Sequence, residues 1–284
     1  MLLDSEPVQV VARTVRSARA VSEPVRFTAL QLAGPRRESA YSLRRSGLTV
    51  HLRHRTRDLA IFKEIFGANA WPSVYEPPTA VESIVAAADE PRVLDVGANI
   101  GLFGIFAVER WGASVESFEP DPGNVPLLRR TIAANGLQSR WTLREVAVSN
   151  RDGELPFVSG LFAESQLSGV GDPAARAEGA VSLSKGHTIS VPVVDLFETN
   201  HDVELLKMDI EGAEWDILTD PRLSELKARA IVLEWHSIGC PEPHPHEAAV
   251  RLLAEAGYEA QQDGDMPGAT GMLWAWRAGA EPPR

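Results

Sequence analysis

From Pro91 onward, short and almost continuously apolar runs alternate with stretches of helical periodicity. "PRVLDVGA" leads into "GLFGIFAVERWG", and "ASVESFEPD" into "NVPLLRRTIAANG". "WTLREVAVS", "ELLKMDIEG", "EWDILTDPRL", "RAIVLEWHS" and "HEAAVRLLAEAG" follow in turn. A strand that is apolar on both faces must be covered on both faces. This rhythm therefore implies a mostly parallel α/β sheet between two helical layers. The last runs, "YEAQQDG" and "GMLWAWRAG", flank a Gly/Pro/Asp-rich turn and read as an antiparallel hairpin at the sheet edge.

Two segments stand outside that rhythm. Residues 153–195 hold short strand-like pieces and a Gly/Ala-rich loop, expected to be an insertion near the site. Residues 1–80 read as an extension: a helix begun at Ser5-Glu6-Pro7, a short strand in "GLTVHLRH", and the amphipathic helix "RDLAIFKEIFG" closed by Gly67. The proline-rich "NAWPSVYEPPT" separates this extension, a candidate lid or interface, from the main domain, 81–284.

Charge and composition narrow the partners. Of a net −11, residues 1–80 carry 12 Lys/Arg against 7 Asp/Glu, and the remainder 16 against 32. An acidic main domain disfavours nucleic acid, whose affinity comes largely from phosphate neutralisation. No apolar run approaches the roughly 20 residues that span a bilayer, so no membrane partner is expected. Cys240 is the single cysteine, which excludes an internal disulfide. With no apolar segment of signal-peptide type at the start, the cytoplasm is the expected compartment.

The chemistry centres on the first strand–turn–helix, Asp95-Val-Gly97-Ala-Asn99-Ile-Gly101. A dinucleotide site would carry G-x-G-x-x-G. Here the first two glycines lie four apart and an acid precedes them. That acid would repel a pyrophosphate and welcome a cation. S-adenosylmethionine has an ammonium and a sulfonium and no phosphate. Glu119, at the end of the next strand, is placed to accept hydrogen bonds from ribose hydroxyls. A tight turn with Asp95 as a helix cap is the plainer alternative, and a nicotinamide or flavin site the less favoured one.

"VLDVGANIGLFGIFAV", "ESFEPDPGNVPLLRRTIAANGL", "REVAVSNRDGELPF", "ISVPVVDLFE", "LLKMDIEGAEWDIL" and "IVLEWHS" together resemble FkbM-type methyltransferases in order and spacing, over roughly residues 91–237. The resemblance implies a Rossmann-like class I methyltransferase sheet of seven mostly parallel strands. It also implies S-adenosylmethionine as cofactor and O-methylation of sugar or polyketide-type hydroxyls. By the same resemblance Asp95, Gly97, Asn99, Gly101 and Glu119 correspond to cofactor contacts. Glu145-Val146 falls where the third strand meets adenine.

Methyl transfer to an alcohol needs an aligned hydroxyl and a group to take its proton. Strand alternation puts Lys207 and Asp209 on one face, and Glu234 and His236 on one face. Asp209, Glu234 and His236 can then converge, with His236 as base. A structural Lys207 salt bridge is the competing reading for that strand. Glu211 and Glu214 read as acids favoured at a helix start. A divalent metal held by the same three residues is an alternative that nothing in the spacing requires. For the acceptor, Trp71 and Tyr75 are the lid candidates, whereas Phe62 and Phe66 share a helix face and read as core. The expected function is S-adenosylmethionine-dependent O-methylation of a small-molecule hydroxyl. A polymer-bound glycan as acceptor, or a cofactor-binding relative without turnover, stand as alternatives.

Overall fold

The computed structural model describes residues 6–67, 74–160, 166–167, 187–198, 202–261 and 269–277. The chain opens with helices α1 (Glu6–Ala18) and α2 (Pro24–Ala33), strands β1 (Glu38–Ser42) and β2 (Thr49–Arg53), and helices α3 (Asp58–Phe66) and α4 (Thr79–Ala86). The alternating part supplies β3 (Arg92–Val96), α5 (Leu102–Trp111), β4 (Ser114–Phe118), α6 (Val125–Ala134) and β5 (Trp141–Arg144). Four short strands come next: β6 (Ala147–Ser149), β7 (Gly153–Ser159), β8 (Gln166–Leu167) and β9 (His187–Asp195). The chain then returns through β10 (Leu205–Met208), α7 (Glu214–Leu218), β11 (Ala230–His236), α8 (Pro245–Glu255), β12 (Tyr258–Ala260) and β13 (Thr270–Arg277).

The main sheet has seven strands in the order β12-β13-β11-β10-β3-β4-β5, parallel except for β13. The C-terminal hairpin does lie at an edge, but its antiparallel member β13 is inserted between β11 and β12. "WTLREVAVS", read above as one strand, is two. After β5 the chain leaves the sheet at Glu145-Val146, and β6 joins a second, four-stranded sheet ordered β6-β9-β7-β8. That small sheet packs Ala147, Phe157, Val191 and Val193 around Ala213, just ahead of α7.

Alternation along the strands feeds two cores. Leu94, Val96, Leu206, Met208, Ile231 and Leu233 face the layer holding α7 and α8. Val93, Leu205, Ala230 and Val232 face the other side, where Phe27, Tyr41, Val50, Phe62 and Val85 of the N-terminal elements join the same core. Burial of the Val, Leu, Ile, Met and Phe side chains among them contributes on the order of 1.5–3 kcal/mol each. Parity puts Asp95, Lys207, Glu234 and His236 on this second face, because Lys207 pairs in register with Asp95 and Val232. Apolar residues fill the lower part of that face and charged residues its carboxyl end. The N-terminal elements that complete the core consequently also flank the charges.

Polar contacts fix how that extension sits. Asn135 on α6 exchanges two 2.7 Å hydrogen bonds with the backbone of Thr49 on β2. Arg53 makes a two-pronged pair with buried Asp58 at 2.9 Å and donates to Asn124 at 2.8 Å, tying α3 to β2 and to the loop after β4. Gly67 ends α3 as expected, though in a φ −58° conformation rather than a left-handed one. Helices α2 and α4 and strand β1, which the residue pattern does not single out, complete the extension. Among the described residues no helix is long and apolar enough to cross a membrane. Replacing Asp58 with Ala strips Arg53 of a buried partner, and we expect a loss of about 3 kcal/mol, measured by urea denaturation.

Candidate active site

The turn after β3 is shaped by backbone constraints. Gly97 has φ +78°, and a Cβ there would overlap the backbone carbonyl oxygen of Asp209. This glycine lets the ends of β3 and β10 touch. Asn99 also adopts a left-handed conformation, φ +51°, which Asn tolerates better than most residues. Its side-chain oxygen accepts from the Ile100 N–H at 2.8 Å, and its own N–H donates to Glu119 Oε2 at 2.6 Å. The second Glu119 oxygen accepts from the Asp121 N–H at 2.8 Å. Burial lifts Glu119 to about 8 despite these bonds. Gly101, at φ +85°, closes the turn and opens α5.

Asp95 lies beneath this turn rather than at its surface. It is fully buried, with Oδ2 3.4 Å from the Ser117 hydroxyl and Oδ1 3.5 Å from Lys207 Nζ without a hydrogen bond. The register pairs Asp95 with Ser117 on one side and Lys207 on the other. Lys207 donates to the Gly97 carbonyl at 2.5 Å and reaches Asp209 Oδ2 at 3.4 Å. Burial alone would lower the lysine's pKa. The charges of Asp209, Asp95 and Glu234 outweigh that and raise it, so the ammonium stays charged. The salt-bridge reading of Lys207 therefore describes its geometry.

Above the turn opens a cleft. Its floor is Gly97, Asn99 and Phe103, and its far side Lys207, Asp209 and Glu234. Its roof is α3, through Ala60, Ile61 and Glu64, together with Tyr75 and with Arg57, just ahead of that helix. Tyr75 is buried and packs on Phe103 with ring centroids 5.2 Å apart, inside the cleft wall. Trp71 and residues 168–180 lie outside the described residues. Glu145, just beyond β5, is exposed and paired with Arg129, while Val146 packs on the core that faces α7. Neither is among the residues lining the cleft.

Asp209, Glu234 and His236 do come together, with one side-chain atom of each lying within 4.8 Å of the others. Asp209 and Glu234 line the cleft; His236, 4% exposed, sits in the same group without lining it. Two acids read above as helix-start residues join them. Glu211 Oε2 is 3.4 Å from His236 Nε2, and Glu214 Oε1 is 3.1 Å from His236 Nδ1. The sequence signal for both was the spacing Asp209-x-Glu211-x-x-Glu214, which a helix dipole explains equally well. Likewise the Ala60/Ile61/Glu64 face of α3 was hidden by the apolar Phe62/Phe66 face opposite it.

This crowding shifts Glu234, Glu211 and His236. Asp209's charge, then burial, raises Glu234 to about 8; burial, then Asp209, raises Glu211 to about 7. Burial pulls His236 down, but the hydrogen bond and charge of Glu214, then Glu211 and Asp209, carry it to about 9.

The sheet order, the glycine turn after its first parallel strand and a charged cleft at the strand ends define a class I methyltransferase fold. A family model described as the methyltransferase FkbM domain matches residues 95–260, and the chain belongs to that family. It is 25% identical over 230 residues to Methyltransferase sdnD of Sordaria araneosa, covering 72% of this chain and 83% of that one. It is 29% identical over 174 residues to 31-O-demethyl-FK506 methyltransferase FkbM of Streptomyces tacrolimicus, covering 51% and 65%. Among solved structures, Methyltransferase FkbM from Methylobacillus flagellatus KT aligns with a TM-score of 0.43 and 14% identity over 96% of this chain and 60% of that one.

The geometry of the turn and the acid cluster can be tested through stability. Gly97→Ala must displace the Asp209 backbone as well as strain φ, and a stability loss of about 1–3 kcal/mol is expected in thermal denaturation. In the acid cluster, the folded state holds protons that the unfolded chain releases. Glu234 and Glu119 are penalised as pH rises from about 4.5 to about 8, Glu211 from about 4.5 to about 7, and His236 loses its stabilising charge between about 6.5 and about 9. Stability of the protein without ligand should thus fall from about pH 5 to about pH 9, read as the urea midpoint at each pH.

Proposed function

We propose that this methyltransferase uses S-adenosylmethionine and methylates a hydroxyl of a small molecule, a sugar or polyketide-type natural product, in the cytoplasm. The observation that carries the cofactor reading is the charge of the cleft. Asp209 and Glu234 face it, Glu119 and Asp95 lie buried along its turn, and Lys207 serves Asp95 and Asp209 together. A cation suits this site and a pyrophosphate does not. The residues fit the group. The Gly97–Gly101 backbone leaves the turn open, and Glu119 Oε2 keeps a lone pair for a ribose hydroxyl after accepting the Asn99 N–H, while Oε1 accepts from both the Asp121 N–H and the Asn124 side-chain amide. Asp95 acts on the bound ligand through Lys207 and the shape of the turn.

S-adenosylmethionine supplies, when bound, an electrophilic methyl group and a positive charge. The chain's own part is to seat the acceptor and take its proton. The acceptor lies between α3, Tyr75 and the carboxylates. Its hydroxyl proton goes to the Asp209–Glu234–His236 group, entering at Glu234, which faces the cleft and titrates near the working range. His236, read from the sequence as the base, does not line the cleft and is held protonated by Glu214 and Glu211, so it contributes from behind as the positive member of that group. The name of the Streptomyces tacrolimicus relative specifies an O-demethylated acceptor, in keeping with a hydroxyl here.

Calorimetry should show S-adenosylhomocysteine binding and no NAD binding; the opposite pattern would refute the cofactor reading. Glu234→Gln and His236→Ala should keep that binding and reduce turnover by on the order of a hundredfold or more, followed as labelled methyl transfer to a panel of hydroxylated acceptors. Turnover should survive EDTA. Loss that magnesium restores would favour a metal held by the convergent Asp209, Glu234 and His236 side chains.

A further inference from the structure

Glu214 opens α7, where an acid ordinarily answers the helix dipole. Its surroundings are different. The residue is completely buried, and both carboxylate oxygens are committed to other groups. Oε2 accepts from the Gly212 N–H at 2.7 Å. Oε1 accepts from the His236 N–H at 2.7 Å and faces the imidazole Nδ1 at 3.1 Å. The next residue, Trp215, donates its indole N–H to the His236 carbonyl at 2.7 Å. Two consecutive residues of α7 therefore grip His236 by its backbone N–H, its backbone carbonyl and its ring. The other ring nitrogen, Nε2, is left pointing at Glu211, 3.4 Å away. Glu211 itself has φ +54°, a left-handed conformation for a residue that does not favour it. The turn between β10 and α7 holds a strained backbone while bringing a carboxylate to the imidazole.

We propose that Glu214 is a positioning residue for methyl transfer, holding His236 with its Nδ1 toward the buried carboxylate and its Nε2 toward the acids of the site. The proposal rests on the reading that the acceptor's proton enters this group. The charged neighbours of His236 are Glu214 on α7, Glu211 and Asp209 in the turn after β10, and Glu234 on its own strand. Lys207 acts on Glu234, and Arg57, just ahead of α3, acts on Glu211. In this arrangement a cation behind Glu234 lets that carboxylate ionise beside Asp209 when the acceptor arrives. A carboxylate on the far nitrogen of a catalytic imidazole sets tautomer and ring orientation in the same way in other enzymes. A merely structural Glu214 would anchor α7, and its replacement by Gln would leave kcat and the pH profile of the folded protein unchanged.

The test is nitrogen-detected NMR of the imidazole in the full-length wild type, Glu214→Gln and Glu214→Asp, with kcat and KM as functions of pH. In the wild type, His236 should carry its proton on Nδ1 and titrate above the ordinary histidine value. Glu214→Gln should lower that midpoint by about one pH unit and lower kcat on the order of a hundredfold. Affinity for S-adenosylhomocysteine should hold, and Glu214→Asp should recover part of the loss. A wild-type His236 that titrates as an ordinary histidine, or a Glu214→Gln protein with unchanged midpoint or unchanged kcat, overturns the proposal. Should Glu214→Gln fail to fold, the wild-type spectrum and Glu214→Asp decide. Failure of the underlying functional reading is distinguishable, as a wild type that transfers no methyl group to any hydroxyl.

Discussion

The buried ammonium of Lys207 is the contact on which the rest of the site depends. A lysine at the middle strand of a parallel sheet is costly unless compensated. Here the compensation comes from three directions: Asp95 on the neighbouring strand, Asp209 one pleat onward, and the Gly97 carbonyl of the turn above. These partners lock the ends of β3 and β10 together, and the glycine at position 97 is what allows the two backbones to touch. Moving any one of them uncovers a charge. The turn, the cleft floor and the position of Asp209 are in this sense one electrostatic unit.

A second unit is built on the first. Asp209 carries a negative charge to the cleft mouth, where Glu234 and Glu211 must share the space, so both are pushed toward protonation. His236 supplies the opposite sign, and Glu214 holds it in place. Crowding acids in this way carries an electrostatic cost that a cationic ligand would relieve. Such an arrangement suits a site where a positive reactant has to be gathered and a proton moved in the same few ångströms.

The extension ahead of the sheet belongs to this picture through geometry. Parity places the charged residues on the face that Phe27, Tyr41 and Phe62 help to cover. The helix α3, pinned by the Arg53–Asp58 pair, then becomes the cleft roof. One set of contacts both completes the core and encloses the chemistry.

Much of this is legible in the residues alone. Apolar runs of strand length alternating with helical periodicity specify a parallel α/β sheet, because period and burial follow from local geometry. Asp95 and the glycines after it mark the turn. The period-2 spacing of Lys207 with Asp209, and of Glu234 with His236, assigns each pair to a common face through strand alternation alone. Other features depend on which segments meet. "WTLREVAVS" has the composition of one strand, and only the presence of a second sheet beside it makes it two. Asp95 looks like a group at the surface of the turn, and its burial beside Lys207, from a strand more than a hundred residues away, appears only in the fold. Glu214 is indistinguishable from a helix-start acid until β11 delivers His236 to it. Periodicity and turn chemistry are written in neighbouring residues and can be read there. Charge partnerships, burial depth and the roof of a cleft arise from residues far apart in the chain, and the tertiary structure alone decides them.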